Sequence, residues 1–218
     1  MPSVKIPRKS SDTDMTPFVD VGFLILFFFI MATKFKPPQP VEITTPNSVS
    51  TEKMPDNDAL LVEMDPTGRV FFSMLAEADP TMKYTVIDNI AKTRNITLTE
   101  QQKKNFQNGG PVGVSFAQLP ALLNVSPSAQ AKVKQEGIPI KDSLSNELYY
   151  WVRDAVTVMA GRPVQYLIKI DNEAKYPDFK RVIEAFKRND IYKFKLVTSP
   201  EDAPAGSPLA VDRAKPKA

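Results

Sequence analysis

The apolar positions of the chain start with one unbroken block near the N-terminus. From Pro17 to Thr33 the sequence reads PFVDVGFLILFFFIMAT, with Asp20 as its only charged residue. A hydrocarbon core about 30 Å thick needs about 20 helical residues, so the block predicts a transmembrane helix over 15–35 that carries Asp20 inside the bilayer. Thr16 is a suitable N-cap for this helix, and Pro17 suits its first position.

Shorter apolar segments follow a proline-rich stretch. Residues 36–58 contain five prolines and almost no large apolar side chain, which predicts an extended linker. Two short strands then follow, over 59–64 and 69–73. The intervening Asp65-Pro66-Thr67-Gly68 suits a type I turn and therefore predicts a hairpin.

The later patterns predict two helices and two more strands. Apolar residues recur with helical spacing and predict one apolar face of a helix that ends at Gly161 and Pro163. These residues are Leu144, Leu148, Trp151, Val152, Ala155 and Met159. A strand with one buried side carries Val164, Tyr166, Ile168 and Ile170 against Gln165, Leu167 and Lys169. Pro177 opens a helix with a stripe of Phe179, Val182, Ile183 and Phe186 that ends near Asn189, and the last strand alternates Tyr192, Phe194 and Leu196 with Lys193 and Lys195.

This order predicts a single N-terminal transmembrane helix followed by a small α+β domain over 59–198. Its mixed sheet has two main helices and a C-terminal βαβ unit with a right-handed crossover. An insertion at about 74–143 interrupts the domain, with a helix near 82–94 and two overlapping capping boxes, Thr97 with Glu100 and Thr99 with Gln102. Residues 199–218 predict a disordered tail, and residues 1–14 precede the membrane helix.

Composition excludes several chemistries. The chain has no Cys and no His, which rules out disulfides, thiolate zinc sites, common haem ligands and nucleophiles that depend on histidine. A net charge of +3, from 28 Lys+Arg and 25 Asp+Glu, is too small to indicate a nucleic-acid surface. We find no phosphate loop or nucleophile motif, and Asp171 and Glu173 read as turn residues. We therefore expect no enzyme, no cofactor and no metal.

Asp20 is the candidate functional residue. A carboxyl group inside a membrane span is costly and tends to face a partner or water, and one that is neutral against lipid and charged against water could carry a proton. Two other interpretations remain open. The block could be a secretory signal with Lys5, Arg8 and Lys9 as its basic region, or Asp20 could merely bond Thr16 or a backbone N–H. Charge counting only weakly favours a cytoplasmic N-terminus.

The residues around Asp20 resemble a known signature. The run Asp14-Met15-Thr16-Pro17-Phe18-Val19-Asp20-Val21-Gly22-Phe23-Leu24, with the later Phe27-Phe28-Phe29 and Met31-Ala32-Thr33, is similar to the ExbD/TolR family, in its Bacteroidetes-type branch. The resemblance implies that Asp20 is the proton-carrying residue and that Thr16, Pro17 and Gly22 belong to the transmembrane signature. The order of elements beyond 59 also resembles the periplasmic domain of the family, but less specifically.

The resemblance also implies location and partners. It implies a single-pass protein of the cell inner membrane with a cytoplasmic N-terminus and a periplasmic C-terminal domain. The expected partners are a second copy of the chain, a pentameric ring of ExbB- or TolQ-like multi-span subunits and a TonB-like periplasmic protein, with no nucleic acid. A small open sheet leaves edges to which such a partner could add a strand, unless the insertion or the tail already covers them.

Three functional classes follow. The first is a proton-motive-force-coupled subunit of an inner-membrane energy-transducing complex of the ExbB/ExbD-TonB type, which powers active transport across the outer membrane. The second is a TolR-like subunit of a Tol-Pal envelope-maintenance system. The third is a membrane-tethered periplasmic binding module with no proton role, in which Asp20 would tolerate replacement.

Overall fold

The computed structural model describes residues 15–32, 39–48, 54–55, 57–141 and 146–200. The chain divides into two units, residues 1–36 and residues 37–218. The predicted N-terminal segment 1–14, the predicted helix start at Leu144, and most of the predicted tail lie outside the described residues.

The first unit contains one helix, α1, which spans Thr16–Ala32 and is 17 residues long. The backbone carbonyl of Met15 accepts hydrogen bonds from the N–H groups of Phe18 and Val19, both at 3.1 Å. Met15 therefore occupies the cap position, and Pro17 lies at the second helical position instead of the predicted first. Within the described part of the chain, no helix combines the length and the apolar character needed to cross a membrane.

The second unit is an α+β domain whose elements follow in the order β1 (Asn47–Ser48), β2 (Ala59–Met64), β3 (Val70–Leu75), α2 (Thr81–Arg94), α3 (Glu100–Gln107), α4 (Leu119–Leu123), α5 (Pro127–Gln130), α6 (Glu147–Val158), β4 (Gln165–Ile170), α7 (Tyr176–Lys187), β5 (Lys195–Val197) and β6 (Ser199–Pro200). The main sheet has the strand order β3-β2-β4-β5. β2 is antiparallel to β3 and parallel to β4, which is parallel to β5. The mixed sheet is thus present.

The hairpin forms at the predicted position. β2 pairs with β3 along its whole length, from Ala59 opposite Leu75 to Met64 opposite Val70. In the turn, the N–H of Gly68 donates to the carbonyl of Asp65 at 3.1 Å, and Gly68 has a φ of +84°. Glycine adopts this left-handed backbone without the steric cost of a Cβ atom.

The core lies between the sheet and helices α2, α3, α6 and α7. Trp151 on α6 is fully buried and stacks against Phe72, Phe106 and Phe116, with ring centroids 5.3, 5.7 and 5.6 Å away. Phe106 and Phe116 belong to the predicted insertion, as do other buried core residues, among them Val86, Ile87, Ile90, Leu119 and Leu123. The segment 74–143 therefore supplies part of the main core, and its first residues complete strand β3.

Two predictions about the strands are wrong. Leu167 was expected on the solvent side of β4, but it is 2% exposed and packs with Ala59 and Leu61 in a second cluster on that face of the sheet. The last strand, predicted to include Tyr192 and Phe194, spans only Lys195–Val197, and Tyr192 and Leu196 are 69% and 53% exposed. Leu196 lies on the terminal strand of the sheet, where an alternating pattern does not guarantee a covering layer, and Tyr192 precedes that strand.

Residues 44–48 pack against the domain, although they fall in the predicted linker. The N–H of Thr44 donates to the Asp171 carboxylate at 2.8 Å, and the hydroxyls of Thr45 and Ser199 are 2.6 Å apart. β1 pairs in parallel with β6, which occupies the first two residues of the predicted tail. We call residues 44–48 the strap. The linker residues 36–38, 49–53 and 56 lie outside the described part.

Candidate functional site

The side chains of α1 are apolar around the whole helix. Within their own unit they have no covering layer: Phe18, Phe23 and Phe28 are 68%, 65% and 66% exposed. Asp20 is the only charged residue of the helix and is also exposed. A helix that is apolar on every side requires an apolar environment all round, either lipid or other protein.

The signature residues occupy more than one side of α1. Thr16 and Asp20 are four residues apart and so lie on the same face, one turn from each other. Gly22 lies about 200° around the helix from Asp20. Apart from the helix's own backbone and the two neighbouring residues, no atom of the described residues lies within 4 Å of the position that a Cβ at Gly22 would take. The structure therefore brings Thr16 and Asp20 together and leaves a smooth surface at Gly22, away from the carboxyl group.

The outer edge of β3 is covered by the segment that sequence analysis identified as an insertion. Phe72 and Val112 exchange two backbone hydrogen bonds of 2.8 and 2.9 Å, and the N–H of Ile138 donates to the carbonyl of Val70 at 2.8 Å. These bonds occupy groups that an added strand would need. At this edge, the interpretation in which the insertion covers the sheet is confirmed.

The opposite edge differs. Within the described residues, the four-stranded sheet ends at β5. Leu196 on β5 is exposed, as is Tyr192, which lies three residues before this strand. β5 therefore combines two features of a strand-accepting edge, which are its terminal place in the sheet and an exposed apolar side chain.

The buried charges of the sheet are structural. Glu63 on β2 and Lys169 on β4 are register partners joined at 3.2 Å, with side chains 4% and 18% exposed. Burial raises the pKa of Glu63, while the charge and hydrogen bond of Lys169 act in the opposite direction. Among the described residues, no group of acidic side chains is arranged to hold a metal ion.

Asp171 behaves as the turn residue predicted from sequence. Its carboxylate accepts the N–H of Glu173 at 3.0 Å as well as that of Thr44 in the strap. Sequence reasoning missed the second contact, because the two residues are 127 positions apart. Sequence reasoning also missed that β2 is buried on both faces. The signal was present in the run ALLVEM, because strands that are buried on both faces have nearly continuous apolar sequences.

Comparison with known proteins identifies a family. The model of the family described as "Biopolymer transport protein ExbD/TolR" matches residues 7–201. This range includes α1 with Asp20, the strap and every described element of the second unit. No curated protein and no solved structure matches the chain.

Proposed function

The chain belongs to the ExbD/TolR family of inner-membrane biopolymer transport subunits, and on that premise we propose that it couples the proton motive force to active transport across the outer membrane. Proteins of this family work in membrane complexes with ExbB- or TolQ-type partners. We propose the ExbB/ExbD-TonB type of complex for this chain. Its place in the Bacteroidetes-type branch stays a prediction.

One observation carries the proposal: Asp20 is the only charged residue of an otherwise apolar helix. An ionisable side chain in such a helix has a functional role by default, because it is costly unless it meets a partner or water. The driving force is about 2.3 kcal/mol per charge for each 100 mV of membrane potential, which is enough to bias a two-state element. Asp20 is the group through which this chain would use it.

Three replacements test the role of Asp20. Asp20→Asn keeps size and polarity but cannot release a proton, so complexes should assemble while energy-dependent uptake across the outer membrane stops. Asp20→Glu keeps a titratable group and should retain part of the uptake. Glu173→Gln removes an exposed carboxyl group outside α1 and is the matched control. Normal uptake in cells that contain only Asp20→Asn would refute the proposal.

We also propose that α1 and the residues next to it form the membrane-spanning segment, with the N-terminus in the cytoplasm. One apolar helix cannot supply a polar environment for Asp20, so we propose that it lies among other helices. These would come from a second copy of the chain and a ring of ExbB- or TolQ-like subunits. Purification from native membranes in mild detergent should recover both. A monomer without a co-purifying subunit would contradict this assembly.

The Tol-Pal alternative predicts a different phenotype. If the chain serves envelope maintenance, Asp20→Asn should make cells sensitive to detergents and leave energy-dependent uptake intact. Measuring both phenotypes in one strain separates the two systems.

For the TonB-like partner we propose the edge of β5 as the docking position. Addition of a partner strand should slow amide exchange at residues 195–197 of the full-length chain. The residues of β3 serve as an internal control, since Val112 and Ile138 already occupy that edge. Demonstrated binding without slower exchange in β5 would exclude strand addition there.

A further inference from the structure

A pocket of about 240 Å³ lies between α7 and the chain that leads into α6. One wall is a single face of α7, on which Lys180, Arg181 and Glu184 recur with helical spacing. The opposite wall contains Lys141 and Asn146. We call this cavity the α7 pocket. Its polar lining brings together residues that are about 40 positions apart in the chain.

The cations of the α7 pocket are accessible to a ligand from solvent. Lys141 and Lys180 are exposed, and neither ammonium group has an acidic partner among the described residues. Arg181 donates from Nη1 to the carboxylate of Asp178. Its side chain is 37% exposed, and its Nε and Nη2 atoms have no acceptor within the described part of the chain. The pocket therefore offers several charged donors that now face only water.

Asn146 joins the two walls of the pocket. Its side chain belongs to a residue that is 3% exposed, and its Nδ2 donates to the backbone carbonyl of Arg181 at 3.4 Å. Its Oδ1 accepts the N–H of Tyr149 at 3.3 Å and so caps the first turn of α6. The N-terminus of a helix carries a partial positive charge, which here adds to the charge of the lysines. A buried amide thus fixes the pocket at a position that favours an anion.

Positive charge exceeds negative charge at the α7 pocket. Its lining carries three cations and one carboxylate, that of Glu184. Asp178 pairs with Arg181 and cancels a second positive charge. Three cations against two carboxylates leave one positive charge, which resides on the two lysines. An incompletely balanced cation in a concave site attracts an anion.

We propose that the α7 pocket binds the phosphate group of a small ligand. Lysine is a point charge that can approach phosphate from any side, whereas a carboxylate is matched best by a planar arginine fork. Here Lys141 and Lys180 lie on opposite walls, and Asp178 already occupies part of the fork of Arg181. Pockets for drug-sized ligands measure about 300–1,000 Å³, so this smaller volume suits a phosphate group with few further atoms.

The test measures binding of radiolabelled inorganic phosphate to the full-length chain in an uncharged detergent, by equilibrium dialysis. Lys141→Gln and Lys180→Gln should each weaken binding about tenfold or more, because each loses a charge-assisted hydrogen bond. Lys187→Gln removes the same charge from an exposed position of α7 outside the pocket and should weaken binding by less than about twofold. The fluorescence of Trp151, which is fully buried, checks that each variant is folded.

Glu184 should have the opposite effect. Glu184→Gln removes a negative charge from the pocket lining and should strengthen phosphate binding about threefold or more. Glu173→Gln removes an exposed carboxyl group outside the pocket and should leave binding unchanged. The two variants change the net charge equally, so a difference between them reports on the pocket itself.

Two competitors identify the source of the phosphate group. Glycerol 3-phosphate represents a soluble phosphate ester, and dihexanoylphosphatidylglycerol below its critical micelle concentration represents a lipid headgroup. The stronger competitor for the labelled phosphate identifies the natural class of ligand, and either result supports the proposal. Displacement by neither compound would contradict a phosphate-ester ligand.

Other outcomes would overturn the proposal outright. They are absence of phosphate binding by the wild-type chain, and equal weakening by Lys187→Gln and Lys180→Gln, which would mean that net charge alone attracts the ion. The assay needs no proton gradient, so Asp20→Asn should bind phosphate normally. Failure of this proposal is therefore separable from failure of the proposed function.

Discussion

At the scale of single residues, the carboxylate of Asp65 organises the β2–β3 turn from within. Its side chain is 1% exposed and accepts the backbone N–H groups of Thr67 and Arg69 at 2.9 and 2.8 Å. The Nε of Arg69 also donates to it at 2.6 Å. Burial acts to raise the pKa of Asp65, but the hydrogen bonds from Thr67 and Arg69 outweigh burial and lower this pKa below its ordinary value.

Asp65→Asn should lower the free energy of unfolding by about 1.5–3 kcal/mol at neutral pH, the range for hydrogen bonds to a charged group. Because the pKa of Asp65 is lowered on folding, its stabilising effect is complete above about pH 4 and is lost as the pH falls through the folded-state pKa. The difference between variant and wild type should therefore shrink in acid. Urea unfolding followed by the fluorescence of Trp151, the only tryptophan, measures it.

The control for this change is Asp190→Asn. Asp190 is exposed and has a φ of +60°, a backbone conformation that asparagine also tolerates. It should change stability by less than about 0.5 kcal/mol. A loss at Asp65 no larger than at Asp190 would contradict the structural role of the turn carboxylate.

The Glu63–Lys169 pair is the opposite case. The pKa of Glu63 is raised, and burial is the largest cause. The ionised carboxylate therefore lowers the stability of the folded state, and its contact with Lys169 only partly offsets this effect. Glu63→Met with Lys169→Met should leave the domain at least as stable at neutral pH, with a gain of up to about 1–4 kcal/mol. Glu63→Met alone should destabilise it, because Lys169 would keep a largely buried charge.

The pH dependence of this pair has a defined sign. Between the raised folded-state pKa of Glu63 and about 4.3, the ordinary value for glutamate, the folded state binds a proton more readily than the unfolded state. As the pH falls through this range, the stability of the wild type should therefore rise relative to that of the double variant. Unfolding midpoints in urea across this range measure the difference. A double variant clearly less stable than wild type at neutral pH would contradict the account.

At the scale of elements, sequence patterns correctly predict the helices and turns that depend on neighbouring residues. The hairpin, α6 and α7 follow from turn chemistry and apolar periodicity, and they form where expected. The exposure of Leu196 could not be predicted, because it depends on β5 lying last in the sheet. The burial of Leu167 likewise depends on a second covered face that no period within β4 reveals.

The start of α3 gives a clean test of the capping prediction. Of the two overlapping boxes in the sequence, the structure forms the one in which Thr99 accepts the N–H of Gln102 and Gln102 accepts the N–H of Thr99. Thr99→Ala should cost about 1 kcal/mol of unfolding free energy. Thr97→Ala removes the hydroxyl of the box that does not form and should cost less than about 0.5 kcal/mol. Equal losses would show that both boxes contribute.

At the scale of the whole molecule, whether a candidate site can be predicted from sequence depends on how far apart its residues lie along the chain. Asp20 could be identified from sequence because its signature is continuous within one helix. The strap could not, since it depends on residues that only the fold brings together, such as Thr44 with Asp171.

The strap joins the segment between α1 and β2 to the C-terminal end of the domain. The Asp171 carboxylate holds Thr44, the carbonyl of Thr44 accepts the N–H of Asn172, and the carbonyl of Pro46 accepts the N–H of Ser199. Ser199 lies two residues beyond β5 in the chain. If these contacts form one cooperative unit, loosening the strap at Asp171 should also loosen Ser199.

Asp171→Asn tests this cooperativity in the full-length chain. Asparagine can keep one acceptor for Glu173 but replaces the oxygen that holds Thr44 with a donor, so amide exchange at Thr44 should accelerate about tenfold or more. Exchange at Ser199 should accelerate with it, while amides in β2 stay unchanged. Glu173→Gln, which alters an exposed side chain of the same turn, should change neither. Faster exchange at Thr44 alone would mean that the contacts at Asp171 and at Ser199 open independently, and the strap would then transmit no displacement from the linker to the β5 end of the sheet.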